Sequence, residues 1–400
     1  MKKILLLLLA ASLLPQCTTY HRVRSNNLVT KATLAEKHFY QEIPFTLAHG
    51  LPVVPVYIGQ DSTPYSFCFD TGGYTVLSEE LKERAAGVHQ KSYIDVKDAN
   101  NQTARIHTYM LDELSVGPVP FENVGFARIG FTEAEYFSCP GIAGTVGPGV
   151  MKECIWYFDY DNQKIVATDQ LEKIPNIGSA TRIPIKTNNI NKPLMEFTVE
   201  GQKGVFTFDT GDNGFIGFRK PFIESLGRNF PSATRYGQGI RAGHSQVRED
   251  VTLHRLDSIR LGGSILLENV IGTSRNSSAH SLGAGIFDFF NVVFNLGKDE
   301  VYFIRRKKPA PGSTLYSFGF GIDFKDQKLV VGHLYNNSPA SRAGIQVGDE
   351  LAKIDGRRYE FSDYCDFLNN FNPVPEERIE LELVRDGQGF AVELKKERIL

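Results

Sequence analysis

The chain has little sulfur and no excess of charge. Its 400 residues include 5 cysteines, 4 methionines and 1 tryptophan, and 44 basic side chains nearly balance 46 acidic ones. A net charge of −2 gives no global field to attract nucleic acid or an anionic lipid surface. The cysteines lack zinc-type spacing, and the histidines form neither an i,i+4 pair nor an HExxH string, so no metal and no other cofactor is expected. Gly283-Ala284-Gly285 lacks the Gly and Lys pattern of a phosphate loop. Beyond residue 14 no apolar run is long enough to cross a bilayer. What is plentiful is phenylalanine (28), tyrosine (16), glycine (37) and proline (19), a composition that favours β structure over a helical bundle. The length suggests two or three domains.

Met1-Lys2-Lys3 precedes a short run of Ile, Leu and Ala, the pattern of a secretory signal. The run ends at Leu14-Pro15-Gln16-Cys17. Cys17 resembles the lipid-modified cysteine of bacterial lipoproteins, with Gln16 departing from the usual small residue. Residues 1–17 are therefore expected to be a signal peptide. The chain would be exported to the periplasm or cell envelope, with a lipid anchor at Cys17 the expectation and ordinary cleavage the alternative. Residues 18–35 read as a tether or a pro-segment. An exported chain permits disulfides among Cys68, Cys139, Cys154 and Cys365. Cys139 and Cys154 are the nearest pair, and four isolated thiols are the alternative.

The centre of the chain is written twice. Ile43-Pro44 recurs as Ile183-Pro184, Asp70-Thr71-Gly72 as Asp209-Thr210-Gly211, and Glu122-Asn123-Val124 as Glu268-Asn269-Val270. Ile142-Ala143-Gly144 is matched to Gly283-Ala284-Gly285. The anchors stay in order, with drifts that loops absorb. Two homologous lobes are expected, at 36–178 and 179–306. Each has a strand pair before the repeated tripeptide: Val53–Ile58 with Tyr65–Phe69, and Met195–Val199 with Val205–Phe208. Short helices are expected at Ser78–Ala86 and Arg219–Leu226. Residues 307–313 read as a basic, proline-containing connector, and 314–400 resemble neither lobe.

Asp70 and Asp209 each close an apolar β-type run, where an ionisable carboxyl is costly unless paired or used. Two carboxylates that share one proton can take a proton from water and protonate a carbonyl oxygen in the same step. Such a dyad needs two inward-pointing aspartates from symmetric elements, which a duplication supplies. Gly72 and Gly211 allow the close backbone approach that a buried carboxylate needs, and Thr71 and Thr210 can hydrogen-bond across the two-fold. On these motifs, residues 36–306 resemble the aspartic peptidases of the pepsin and retropepsin group. The resemblance implies a mainly β fold of two acid-protease-type β-barrel lobes, with Asp70 and Asp209 as catalytic residues and protein or peptide substrates. Gly73 and Asp212 stand where pepsins have Ser or Thr, and Gly283 replaces a large apolar residue. Asp212 adds a third carboxylate, expected to raise the pH range of the dyad. Hairpins over the cleft are looked for at 93–109, with Tyr93 or Tyr109 as the covering aromatic, and at Tyr236–Gly243.

The final segment contains Phe318-Gly319-Phe320-Gly321-Ile322, Ser338-Pro339-Ala340, Val347-Gly348-Asp349-Glu350-Leu351 and Ile354-Asp355-Gly356. In order and spacing this resembles a bacterial PDZ domain, a small α+β module. The resemblance implies that Gly319, Phe320, Gly321 and Ile322 form a loop holding the C-terminal carboxylate of a peptide, with 362–371 as the groove helix. Phe318 departs from the pattern, since no basic residue precedes the loop. The chain's own Arg398-Ile399-Leu400 is apolar enough to fill such a groove in a neighbouring molecule. The reading as a whole is an endopeptidase with a peptide-capturing or regulatory module. The alternative is a non-catalytic envelope protein that uses the same parts to bind peptide.

Overall fold

Alternating, β-branched and aromatic-rich segments give a mainly β molecule. The computed structural model describes residues 23–129, 139, 141–309, 314–373 and 377–400. The expected signal segment with Cys17, residues 18–22, and 310–313 of the connector lie outside the described residues. No described helix is long and apolar enough to cross a membrane.

The two duplicated halves build matching sheets. In the first, Tyr65–Phe69 runs parallel to Ile142–Val146, which is antiparallel to Val76–Leu77, itself parallel to Val119–Arg128. In the second, Gln202–Phe208, His280–Leu282, Ile216–Arg219 and Ile265–Arg275 repeat the same order and directions. The match extends to irregularities. Asn123 and Asn269 both take φ 52°, a conformation asparagine tolerates better than most residues. The turn residues Gly117 and Gly262 each press on the isoleucine of the repeated Ile-Pro, Ile43 and Ile183.

A six-stranded sheet joins the halves. Its order is Thr181–Pro184, Glu300–Arg305, Phe290–Asn295, Ile155–Asp159, Lys164–Thr168, Tyr40–Pro44. The central pair, Ile155–Asp159 with Phe290–Asn295, contributes one strand from each half and so marks the pseudo-two-fold axis. Trp156, Phe158 and Phe294 are wholly buried on it. Helices Glu79–Arg84, capped by Ser78, and Lys220–Ser225 lie where the sequence places them.

The structure departs from expectation in several places. Within the segment expected to be a tether or a pro-segment, residues 23–35 are docked rather than free, with Val29 buried and Thr33–Leu34 adding a strand to Phe121 and Glu122. The disulfide is Cys139–Cys365, with Cα atoms 4.9 Å apart, not Cys139–Cys154. Cys68 and Cys154 are buried free thiols. Sequence proximity misleads here because Cys154 belongs to the main core, whereas helix Tyr364–Asn370 carries Cys365 to lobe one. The counterpart of Gly144 is His280 rather than Gly285, since Gly144 pairs with Phe67 and His280 with Phe206. Gly283 instead corresponds to Gly147, each opening a short helical turn. Finally, Leu400 packs with Ala233, Val251, Leu253 and Tyr335 of its own chain, so it is not available to a neighbour.

The C-terminal unit has its own core around Leu329, Val331, Leu351, Ile354, Phe367, Leu381 and Leu383. It is not a bead on a string. Its strand Lys328–Tyr335 pairs with lobe-two strand Ser232–Ala242 at Tyr335–Arg235 and Leu334–Tyr236, making one continuous sheet.

Candidate active site

Each repeated aspartate follows a fully buried phenylalanine that anchors its strand to the joining sheet. Phe69 lies edge-on to Trp156 and Phe158, at 5.1 Å in both cases, and Phe208 lies 4.9 Å from Phe294. The next backbone N–H is then bound by the parallel neighbour. Asp70 N donates to Val146 O at 3.0 Å and Asp209 N to Leu282 O at 2.9 Å. Both carboxyls are thereby aimed at the pseudo-two-fold axis.

The threonines lock the two loops together. Thr71 Oγ1 donates to Phe208 O (2.5 Å) and accepts from Thr210 N (3.0 Å). Thr210 Oγ1 donates to Phe69 O (2.8 Å) and accepts from Thr71 N (3.1 Å). Both side chains are wholly buried, so each hydroxyl satisfies two backbone groups that would otherwise be stranded.

The carboxyls of Asp70 and Asp209 each lie against the other's Asp-Thr-Gly loop. Glycine is a steric necessity around them. A Cβ on Gly72 would lie 2.1 Å from Asp209 Cγ, and one on Gly211 would lie 2.7 Å from Asp70 Cγ. Gly73, where relatives of the resembled group carry a hydroxyl, has no room for one, since its Cβ would sit 2.1 Å from Asp70 Oδ2. Gly211 N donates to Asp209 Oδ1 at 3.0 Å.

Burial pushes both carboxyls above the ordinary carboxylate range. Asp209 is raised strongly, with the charges of Asp70 and Asp212 adding to burial. Asp70 is also raised by burial, but the Lys192 charge, the bond from Asp209 and the N–H groups of Gly72 and Gly73 oppose the rise. Their titrations belong to the pair rather than to either carboxyl, with Asp209 the more strongly raised. Asp212 is fixed by Gly214 N (2.8 Å) and Ser281 Oγ (2.7 Å).

Lys192 was invisible to sequence reasoning. Its turn, Asn188–Lys192, reads as an ordinary polar loop, yet it brings an ammonium whose charge reaches both aspartates. The two neighbours act in opposite directions, and the signs can be separated. Asp212→Asn is expected to move the basic limb of the pH–rate profile to lower pH. Lys192→Met is expected to move it to higher pH. Two steady-state profiles check this, and a limb that moves the other way in either variant counts against the assignment.

Each half also carries a long hairpin. In lobe one Val88–Lys97 turns through 98–102 into Thr103–Val116, and in lobe two Ser232–Ala242 turns at Gly243-His244 into Ser245–Leu261. The lobe-two tip is thus later than expected, and Tyr236–Ala242 is strand. Tyr109 is core, stacked on Phe126, and Tyr93 lies on the hairpin under Arg105. The tips meet. Asn100 Nδ2 donates to Ile240 O (3.1 Å), Ser245 Oγ to Asp98 Oδ2 (2.5 Å), and Arg275 Nη1 to Asn100 Oδ1 (2.9 Å). The joining sheet, the threonine pair and the hairpin contact are thus each built from both halves of the chain.

In the C-terminal unit, only Gly319 of the four expected loop residues lies outside a strand. Phe320–Lys325 is already paired with Lys328–Tyr335, from Phe320–Leu334 onward. Gly319 takes φ 92°, and a Cβ there would meet Ser338 at 2.0 Å. Gly321 lies against the His333 ring. The other edge of Phe320–Lys325 carries no strand among the described residues and faces helix Tyr364–Asn370. No group of three or more metal-ligating side chains occurs among the described residues.

Residues 54–136 match the aspartyl protease family. The matched stretch contains Asp70 and the first hairpin but ends well before Asp209. It supports a hydrolase of the peptidase kind. A solved structure, the crystal structure of Basic 7S globulin from soybean, is similar to 68% of this chain and 94% of its own, at 10% identity and a TM-score of 0.42. No curated protein matches the chain.

Proposed function

We propose that the chain is an aspartic endopeptidase that hydrolyses peptide bonds with Asp70 and Asp209 as a shared-proton dyad. The observation that carries this is a pair of buried carboxyls brought together from the two halves, each against the other's Asp-Thr-Gly loop and both raised by burial. Ionised Asp70 takes a proton from a water while Asp209 gives its proton to the scissile carbonyl oxygen. The hydroxide so formed attacks the carbonyl carbon to give a tetrahedral gem-diol. Collapse then breaks the C–N bond, as one carboxyl protonates the departing nitrogen and the other recovers a proton from the diol. The proton count returns to one. Thr71 and Thr210 hold the loops still, which favours reaction through positioning. Incubation of the purified protein with unfolded polypeptide between acid and neutral pH tests the reading. Fragments that a statine-type inhibitor suppresses support it, and intact substrate refutes it.

The C-terminal unit is proposed to be a PDZ-type module that takes peptide chain ends. Support comes from the sterically obligatory Gly319 and the edge of Phe320–Lys325 beside a helix, which carries no strand among the described residues, the arrangement that accepts an added strand. Deleting 314–400 is a poor test, because it breaks Cys139–Cys365 and uncovers Ala233 and Val251. Comparing a peptide carboxylate with its amide is cleaner. Export with a lipid anchor at Cys17 is proposed from the N-terminal pattern, and the Cys139–Cys365 disulfide suits an oxidising compartment. Fatty-acid labelling that Cys17→Ser abolishes is the expected result, and equal labelling in both would remove the anchor.

A further inference from the structure

The groove of the C-terminal unit has two walls, and they are fastened to different lobes. One wall is strand Phe320–Lys325 and the other is helix Tyr364–Asn370, joined at the base where Phe324 stacks on Phe367 at 5.8 Å.

The strand wall belongs to lobe two. Its neighbour Lys328–Tyr335 pairs with the second hairpin at Arg235 and Tyr236. Thr234 N donates to Asn336 Oδ1 (2.7 Å) and Asn336 N to Thr234 O (2.9 Å). Arg248 lies 3.9 Å from Asp323 on the wall itself, and Leu400 is buried against Ala233, Val251 and Leu253.

The helix wall belongs to lobe one. Cys365, in its first turn, is bonded to Cys139. Three residues on begins strand Ile142–Val146, whose last carbonyl holds Asp70 N.

A ligand entering between the walls therefore acts on two lobes that also meet at a hairpin latch, where Asp98, Asn100, Arg275 and Ser245 are joined and Asn101–Asn276 and Ser278–Ala99 bonds lie beside them. We propose that this groove is an effector site: a peptide chain end with an apolar last residue, bound as an added strand along Phe320–Lys325, parts the walls and shifts the latch towards open. The inference rests on the reading of the C-terminal unit as a chain-end binder, and it adds the regulation of the cleft by that binding. The free energy available equals the ligand's differential affinity for the open and latched states, so the effect is bounded by coupling of the usual size, about 5- to 150-fold. The disulfide is the obligatory link on the lobe-one side, because a strand pairing alone would transmit force to lobe two only.

The test uses the full exported chain carrying Asp209→Asn, so that no cleavage is involved. The probe is a pentapeptide ending in Val with a free carboxylate, and its C-terminal amide is the control. Binding is read by fluorescence anisotropy, and the latch by amide hydrogen exchange at 98–102 and 242–246. Saturating carboxylate peptide is expected to speed exchange at both tips about 5-fold or more, and the amide is expected to do neither. In Cys139→Ser, which leaves both groove walls intact, the peptide is expected to bind equally and leave exchange unchanged. Mild reduction of the parent chain gives the same arm if that variant fails to fold. Binding without faster exchange overturns the coupling and leaves the groove reading standing. Absence of binding overturns both. Faster exchange that persists without the disulfide also overturns the proposal.

Discussion

Asp209→Asn is expected to reduce peptide hydrolysis by about 10⁴-fold, to the level of background. The amide cannot hold the shared proton, so neither protonation of the carbonyl oxygen nor recovery of the proton from the diol is available. The same substitution is expected to stabilise the fold away from acid pH. Asp209 holds its proton more tightly when folded than when unfolded, since burial, Asp70 and Asp212 all raise it. Stability of the parent chain therefore falls as pH rises from the ordinary carboxylate range through the raised folded value. Asp209→Asn removes that loss. Melting temperatures of the two proteins are expected to agree near pH 3 and to separate in favour of the variant toward pH 7. A variant that melts lower at neutral pH would show that the carboxyl is stabilised as an anion, contrary to the site described.

Thr71→Val is expected to cost about 3 kcal/mol of stability and about 10² in rate. Valine keeps the volume but strands Phe208 O and Thr210 N, both buried, at about 1–3 kcal/mol each. The rate loss follows from the relaxed position of both aspartates, since displacement of about 1 Å is enough for such a factor. Thr71→Ser retains the hydroxyl and is expected to recover most of both. Denaturant unfolding and steady-state kinetics on the three proteins check this, and equal effects of Val and Ser would mean that the hydroxyl is not the relevant group.

Much of this site could be read in the sequence because its demands are local. Two Asp-Thr-Gly copies on apolar runs specify a carboxyl, a hydroxyl and a missing Cβ at fixed offsets, and a duplicated chain brings such copies together. What could not be read depends on distant segments. Lys192 reaches the dyad from a turn whose sequence is that of any polar loop. Asn100 and Ser245 become partners only when two hairpins from different lobes meet. Cys139 pairs with Cys365 across 226 residues, and the closer Cys154 faces the core instead. The mistaken register at Gly283–Gly285 has a plain cause. Matching glycine to glycine gives the wrong register, whereas the sheets equate the strand partners of Phe67 and Phe206, which makes His280 the counterpart of Gly144.

The integration of the C-terminal unit also changes how it should be probed. Its strand continues the lobe-two sheet and its helix is bonded to lobe one, so removing it alters the cleft as well as any capture of chain ends. Point changes and ligand additions isolate its role better than truncation.

The most direct measurement of the central claim is the rate of hydrolysis of one susceptible peptide by the parent chain, Asp70→Asn, Asp209→Asn and the double variant. A single proton shared by two carboxyls is expected to make the three variants equally inactive, with the parent alone producing fragments. Activity retained by either single variant, losses that add in the double variant, or no cleavage by the parent at any pH between 3 and 8 would contradict it.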